Sequence, residues 1–281
     1  MKNLMSADFY KIFRNKSLLV CTIITIVLAI GSVFLLDFAY SFTETIGAEI
    51  SVSEEDAIVQ DSENISADSG AFVRPEANEM FPSSVGGNVS IFVAIIVAIF
   101  VGAEFNFGTI KNTATKAYSR SKIYVSKLVV SLIVSDLLFI LYAGLFMLTA
   151  TILWGFGTPA AGFGIMALKL FLLQMLLNSA LTSLFVTSAF LLRQSGTAMA
   201  LNLCIALEAT TFIFMLADML IQRIMNTDFA LTDYLITTNI TALSTQDLTN
   251  SLTVRSLLVG IGFTVAAIIV GLINFNRRDI K

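Results

Sequence analysis

The residues that could do chemistry in this chain are few, and their types exclude most catalytic mechanisms. There is no histidine and there are two cysteines, Cys21 and Cys204. His-based catalysis and His-ligated metal are therefore impossible, and two isolated cysteines do not make a zinc site. The G-x-x-x-x-G-K-[ST] sequence of phosphate-binding loops is also absent, so the chain cannot hydrolyse ATP by that route. We expect no catalytic residue, metal site or cofactor in this chain.

Three carboxylates lie inside long apolar runs, where ionisable groups are costly and usually functional. Asp136 lies about a third of the way along one run, Glu208 lies near the middle of another, and Asp218 lies near the end of that second run. We expect Glu208 first, and Asp136 second, to line a transport pathway. Glu208 would there face a cationic group of a substrate or a lysine such as Lys169. The alternative is a buried hydrogen bond between helices, which a protonated carboxyl group can also make.

A basic segment with a glycine near its start, residues 104–122, separates two of the apolar runs. Thr109 follows Gly108 and can cap a short helix that extends to Ala117. A capped, basic and exposed helix is what the docking surface of a peripheral ATPase requires. The residues that we expect to form this surface are Glu104, Gly108, Thr109, Lys111, Asn112, Ser119 and Arg120.

The helix that follows this segment is expected to be longer than a membrane is thick. Ser119 can cap it, and it would run from Arg120 to Leu153, which is 34 residues and ~51 Å at the rise of an α-helix. The hydrocarbon core is only about 30 Å thick. The helix must therefore tilt strongly or protrude into the cytoplasm, where it would be continuous with the docking surface.

The composition is that of a membrane protein: 56% of the residues are hydrophobic and 13% are charged. Five runs exceed the roughly 18 residues that a spanning helix needs, and a sixth, shorter run can also cross if residues 86–88 extend it. The predicted spans are Ser17–Phe38, Val89–Ala103, Lys127–Leu153, Met166–Leu192, Thr197–Leu220 and Val254–Phe275. We therefore predict one all-α transmembrane domain over residues 1–281, with six transmembrane helices.

The basic residues predict the orientation. If the N-terminus is cytoplasmic, 13 of the 17 Lys and Arg residues fall on the cytoplasmic side, and the four on the outer side are Arg74, Lys169, Arg223 and Arg255. The positive-inside rule then places both termini in the cytoplasm. Because the positive charge is confined to segments that flank the membrane, a nucleic-acid partner is not expected.

Two outer segments and the N-terminus complete the predicted topology. Residues 39–87 carry ten acidic residues and one base and form an acidic loop that is too poor in apolar residues to fold alone. Residues 221–253 are apolar enough to re-enter the membrane as short helices or to rest at its surface. Residues 1–16 place Met5, Phe9, Ile12 and Phe13 at helical spacing among basic residues, which predicts an amphipathic helix at the inner membrane interface.

The run from Glu104 to Asn112, followed by Ser119-Arg120 and Lys127, resembles the cytoplasmic segment of export-class permeases of the ATP-binding-cassette superfamily. It is most similar in character to small six-span bacterial permeases linked to bacitracin resistance, lantibiotic immunity and antimicrobial-peptide export. The resemblance extends to the whole topology. The outer segment of 49 residues at 39–87 is longer than we expect for the compact members.

The resemblance implies a permease in the bacterial cell membrane that exports a peptide or an amphiphilic antimicrobial. Its short cytoplasmic helix would be a coupling helix seated in a cleft of a cytosolic ATP-binding subunit, which would bind the ATP and Mg²⁺. A second copy of the chain, or a related permease, would complete the pathway. Small residues in the last span indicate close helix packing, and this face can be the dimer seam; they are Gly260, Gly262, Ala266, Ala267 and Gly271.

An alternative function is that of a membrane-embedded sensor or immunity protein, which binds a cationic peptide without transporting it. The acidic residues of 39–87 could attract such a peptide. The favoured interpretation of these residues is a solvated linker, because runs of charge usually serve only solubility.

Overall fold

Long apolar runs without proline form the helices of this protein, as their composition predicts. A computed structural model describes residues 2–55, 75–86, 89–110, 119–225, 230–245 and 248–277. The elements within these ranges are α1 (Lys2–Phe13), α2 (Lys16–Glu55), α3 (Phe81–Val85), α4 (Ser90–Asn106), α5 (Arg120–Trp154), α6 (Phe163–Leu192), α7 (Ser195–Ala206), α8 (Ala209–Met225), the 3₁₀ helix η1 (Thr232–Tyr234), α9 (Ile236–Thr245) and α10 (Asn250–Arg277).

The helices confirm an all-helical membrane protein. Five helical stretches are long and apolar enough to cross a bilayer, and they lie in α2, in α3 with α4, in α5, in α6 and in α10. The bent pair of α7 and α8 makes a sixth if it is one broken span. The sequence therefore located every candidate span.

The predicted outer segment begins as a helix. The first span was predicted to end at Phe38, with residues 39–87 as an acidic loop, and α2 continues beyond that span as a helix to Glu55. No proline interrupts this stretch, so nothing in the chain stops the helix where the apolar run ends. Residues 75–86 are also ordered against the bundle, because Ala77 is fully buried against Val33 and Phe146. Residues 56–74 lie outside the described residues.

The fifth predicted span, Thr197–Leu220, is not one continuous helix. α7 ends at Ala206 and α8 begins at Ala209, and their axes are bent by 58°. The backbone of Glu208 has a φ of 59°, a left-handed conformation that is uncommon for a residue other than glycine. The amide of Glu208 donates a hydrogen bond to the carbonyl of Ile205, three residues back, which closes the end of α7.

Helix α6 lies in the middle of the bundle and packs on α4, α5, α7 and α10. Glycines of α10 allow close contact with two helices. A Cβ at Gly260 would lie 2.8 Å from a side-chain carbon of Leu176 on α6, and one at Gly271 would collide with the ring of Tyr124 on α5. The prediction of close packing at these two positions is confirmed. Gly262 faces open space, so it does not contribute to this contact.

The segment after α8 contains the short helices that were expected there. η1 and α9 lie between α8 and α10, and α9 buries Ile236 and Leu243 against the bundle. Asp218 of α8 holds η1 in place, since its carboxylate accepts hydrogen bonds from the amides of Leu231 (2.6 Å) and Thr232 (3.0 Å). The role of Asp218 is therefore structural.

Candidate functional site

The predicted docking segment joins helices that meet at one end of the bundle, which we call the basic end. The basic end comprises the last residues of α4, α6 and α10 and the first residues of α5 and α7. The guanidinium of Arg120 donates to the carbonyl of Asn276 at 3.1 Å, which ties the start of α5 to the end of α10. The amide of Asn106 donates to the hydroxyl of Ser195, which ties the end of α4 to the start of α7.

A cluster of four charged side chains from three helices lies at this end. It consists of Asp8 and Lys11 of α1, Glu104 of α4 and Lys127 of α5, and we call it the charge cluster. The ammonium of Lys127 lies 2.7 Å from a carboxylate oxygen of Asp8 and 2.7 Å from one of Glu104. Lys11 approaches the same oxygen of Glu104 at 2.9 Å. Two acids and two bases make the cluster electrically neutral.

The centre of the charge cluster is shielded from solvent. The side chains of Lys127 and Asp8 are each 2% exposed and that of Glu104 is 10% exposed, whereas Lys11 is 49% exposed. The hydroxyl of Ser126 donates to the second oxygen of Asp8 at 2.6 Å. Buried ions need partners of this kind, because each one loses its hydration on burial. The arrangement holds α1, α4 and α5 in a fixed relation.

Asp8 was missed by the sequence analysis, and the reason is a rotation of the buried face of α1. The predicted apolar face was Met5, Phe9, Ile12 and Phe13, but Phe13 is 60% exposed. The buried stripe is Leu4, Asp8 and Ile12, whose spacing of four residues places them on one face. Asp8 is the one acidic residue of α1, and this was a signal that could have been used.

The residues predicted for the docking surface are only partly brought together. Glu104 belongs to the charge cluster. Gly108 has a φ of 65° and forms the turn after α4, where Phe107 is 81% exposed. Thr109 has helical backbone, and its hydroxyl donates to the carbonyl of Glu104 at 3.4 Å. The amides that a Thr109 cap would bind belong to residues 111 and 112, which lie outside the described residues, so the cap stays a prediction.

The start of α5 agrees with the prediction. α5 extends from Arg120 to Trp154, 35 residues in one helix, against the predicted Arg120–Leu153. Ser119 occupies the cap position with an extended backbone, but its side chain makes no capping hydrogen bond. Lys111 and Asn112, and the short helix predicted to end at Ala117, lie outside the described residues.

The two predicted pathway carboxylates lie away from the charge cluster. Glu208 lies at the break between α7 and α8, half-buried, and accepts a hydrogen bond from the hydroxyl of Thr241 at 3.1 Å. Lys169 is exposed and does not pair with Glu208 in the described ranges. Asp136 accepts a hydrogen bond from the hydroxyl of Ser179 at 3.2 Å, as the alternative of a hydrogen bond between helices requires.

A buried polar stripe on α6 was also missed. Gln174 donates to the carbonyl of Ile240 at 2.9 Å, and Asn178 donates to the hydroxyl of Ser135 at 2.8 Å. Thr182 donates to the same hydroxyl at 2.8 Å. Its spacing of four residues was visible in the sequence, but amide and hydroxyl side chains are common on exposed faces as well. Across the described residues, no group of three or more potential metal ligands occurs.

Helix content, apolar length and the polar groups enclosed between helices define a class: an all-helical polytopic membrane protein. Within that class, residues 72–281 match the family described as "Protein of unknown function (DUF2705)". Since the match spans most of the chain, the protein belongs to this family. No curated protein matches it.

Proposed function

We propose that this protein is the membrane-spanning subunit of an ATP-driven exporter in the bacterial cell membrane, with both termini in the cytoplasm. It moves a peptide or an amphiphilic antimicrobial out of the cell or out of the membrane. A separate cytosolic subunit binds and hydrolyses ATP with Mg²⁺, and it docks on the basic end of the bundle.

The continuity of α5 is the observation that carries the proposal. The helix is 35 residues long, or ~52 Å at the rise of an α-helix, so it extends beyond an apolar core of about 30 Å. A subunit that presses on residues 107–119 therefore presses on the end of a rod that crosses the membrane. No loop or glycine turn interrupts the rod between Arg120 and Trp154.

The charge cluster spreads this movement to other helices. Lys127 is two turns into α5 and is paired with Asp8 of α1 and with Glu104 of α4. Because its ions are buried, separating one of them from its partners is costly. A push on α5 must therefore move α1 and α4 with it, and the Arg120–Asn276 contact adds α10.

A second copy of the chain, or a related permease, completes the pathway in this proposal. Its docking requires an apolar face that the fold leaves open. α2 exposes large apolar side chains along most of its length, among them Val27, Phe34 and Leu35, and α10 exposes Leu258 and Ile269. Lipid covers what the second subunit does not.

The first observation to make is whether a gene beside this one encodes an ATPase with a phosphate-binding loop, since its absence would count against the proposal. Such an ATPase is then co-expressed with the chain, and the complex is purified in detergent. Phe107→Ser removes an aromatic side chain that is exposed at the basic end. The matched control is Phe156→Ser, at the other end of α5, where the side chain is 42% exposed. We expect Phe107→Ser to lower co-purification of the ATPase and its stimulated hydrolysis, with an unchanged melting temperature, and Phe156→Ser to leave both at wild-type level. Wild-type binding and stimulation in the Phe107→Ser protein would contradict docking at this end.

A further inference from the structure

We propose that the break between α7 and α8 is a binding site for a single-chain alkylammonium amphiphile. Its small cationic head would pair with Glu208, and its hydrocarbon chain would lie in an apolar channel that leads to the open face of α10. Three adjoining cavities carry this inference. It deepens the proposed export function by naming the chemical class of the ligand, but the binding itself requires no ATPase.

The first cavity is small and has a mixed lining. Its volume is about 50 Å³, and apolar residues such as Val89, Phe139 and Leu181 line it together with a polar group: Gln174 and Asn178 of α6, Glu208, and Thr237 and Thr241 of α9. This volume holds a few water-sized groups. An ammonium head group fits into it, and a peptide does not. Glu208 is the one ionisable residue among those that line the cavity.

The conformation of Glu208 directs its side chain to this place. A residue other than glycine with a φ of 59° is in a costly conformation, and such conformations cluster at ligand sites. In the described part of the chain, the hydrogen-bond partner of its carboxylate is the Thr241 hydroxyl. A carboxylate can accept more hydrogen bonds than one, and an ammonium donates three.

The second cavity adjoins the first and is apolar. Leu181 and Thr237 line both, and the second has a volume of about 360 Å³ between α6, α7, α8, η1, α9 and α10. Apolar side chains make up most of its lining, among them Leu184, Phe214 and Phe263. This volume lies within the range of pockets that hold small ligands.

The third cavity opens the channel to the surface of the bundle. It shares Tyr234 and Phe263 with the second, has a volume of about 310 Å³, and is lined further by Leu258 and Gly262 of α10. Gly262 and the exposed Leu258 lie on the face of α10 that α6 does not cover. A hydrocarbon chain can therefore enter from the lipid side.

Charge decides which amphiphile fits. Neither apolar cavity is lined by an aspartate, a glutamate, a lysine or an arginine, so Glu208 is the one residue of these four types in the lining of the three cavities. A carboxylate in an environment of low dielectric constant strongly favours a cation. The order of the three cavities, with the polar group at the inner end and apolar lining towards the surface, matches one head group and one chain.

The experiment measures binding of radiolabelled dodecylamine to the purified chain in nanodiscs of zwitterionic lipid, with empty nanodiscs subtracted. The control ligand is dodecanol, which has a hydrocarbon chain of the same length and no charge. We expect saturable binding of one dodecylammonium per chain. Glu208→Gln should weaken it about tenfold, because the amide oxygen still accepts a hydrogen bond but lacks the charge of the carboxylate, and should leave dodecanol binding unchanged. Glu208→Asp, which keeps the charge, should retain part of the affinity.

A second variant tests the channel without touching the carboxylate. Gly262→Leu places a large side chain into open space at the third cavity, and we expect it to weaken dodecylamine and dodecanol alike. The control is Gly31→Leu on α2, where a Cβ also meets open space and which lines none of the three cavities. Equal binding of dodecylamine by wild type and folded Glu208→Gln would overturn the head-group site, and equal binding by wild type and Gly262→Leu would overturn the channel.

The outcomes separate this inference from the proposed function. Dodecylamine binding is measured without ATPase, so Phe107→Ser should not change it. If the ATPase docks and responds as proposed while dodecylamine does not bind, the amphiphile site alone is wrong. If dodecylamine binds through Glu208 and no ATPase docks, the chain is a binding protein, and export by ATP is wrong.

Discussion

The ammonium of Lys127 lies 2.7 Å from the carboxylate of Asp8, although the two residues are 119 positions apart along the chain. Both side chains are 2% exposed, and the ring of Phe100 covers the ammonium at 4.2 Å from its centroid. Asp8 belongs to the amphipathic first helix, and Lys127 to the helix that starts at the predicted docking segment. The first helix is therefore fixed to the bundle by an ion pair as well as by its apolar face.

Replacement of Lys127 by Met tests the charge cluster. The change leaves the carboxylates of Asp8 and Glu104 buried with fewer partners, and removal of one member of a buried ion pair costs about 3 kcal/mol or more. We expect a clear fall in the melting temperature of the purified protein. Lys11→Ala is the control, because Lys11 is 49% exposed and exposed pairs contribute about 0–1 kcal/mol.

The double variant Lys127→Met with Asp8→Asn separates charge from packing. If the cost arises from a buried unpaired carboxylate, neutralising Asp8 should recover part of the stability that Lys127→Met loses. A double variant no more stable than Lys127→Met would show that the cluster acts by packing alone.

The contact between α5 and α10 gives a second prediction. A Cβ at Gly271 collides with the ring of Tyr124, and the hydroxyl of that ring donates to the carbonyl of Ala267 at 3.3 Å. Gly271→Ala should therefore destabilise the protein by about 1–3 kcal/mol, the usual cost of overpacking. Gly262→Ala on the same helix meets open space and should be neutral. Equal melting temperatures for the two variants would contradict the close approach.

The positions of the helices could be predicted because apolar length is a local property of the sequence. The start of α5 was predicted to the residue, since Ser119 is a good cap and apolar residues follow. The break at Glu208 could not be predicted, because neither glycine nor proline lies between Ala206 and Ala209. The surrounding packing has to hold that backbone conformation, and packing is not visible in a single sequence.

Residues of the candidate sites could be predicted only where the type of a single residue was enough to mark it. Glu208 was identified because a carboxylate in an apolar run is conspicuous, but its place in the lining of the first cavity depends on α6 and α9, which lie elsewhere in the sequence. Glu104 and Lys127 were named within the docking segment and its continuation. Their pairing with Asp8 depends on the rotation of α1, which the predicted apolar face placed incorrectly.

The orientation of the chain gives a third prediction. In a protein whose two cysteines are replaced by alanine, the thiol introduced by Asp61→Cys should react in intact cells with a thiol reagent that does not cross the membrane. The thiol introduced by Ser6→Cys, at an exposed position on α1, should react only after the cells are opened. The physical reason is the excess of Lys and Arg on the proposed cytoplasmic side. In intact cells, protection of the Asp61→Cys variant together with labelling of the Ser6→Cys variant would reverse the topology.

The last prediction concerns how a movement of α5 that is caused by the docked ATPase reaches α10. Arg120 is the first residue of α5, and its guanidinium donates to the carbonyl of Asn276 at the C-terminal end of α10 at 3.1 Å. The dipole of α10 makes this end a favourable place for a cation. Arg120→Glu replaces this contact with a repulsion, which should cost about 1 kcal/mol of stability. Lys122→Glu is the matched control, because it makes the same charge change two residues away at an exposed position.

Both charge reversals should weaken docking of the ATPase to a similar degree, since both lie at the proposed docking surface. They should differ in the hydrolysis that each bound ATPase performs when substrate is added. Only Arg120→Glu removes the Arg120–Asn276 contact between α5 and α10, so only this variant should lose stimulation per bound ATPase. The measurement is stimulated hydrolysis divided by the amount of co-purified ATPase. Equal values for the two variants would mean that the Arg120–Asn276 contact transmits nothing, and that α5 acts through the charge cluster or through the contact of Tyr124 with α10.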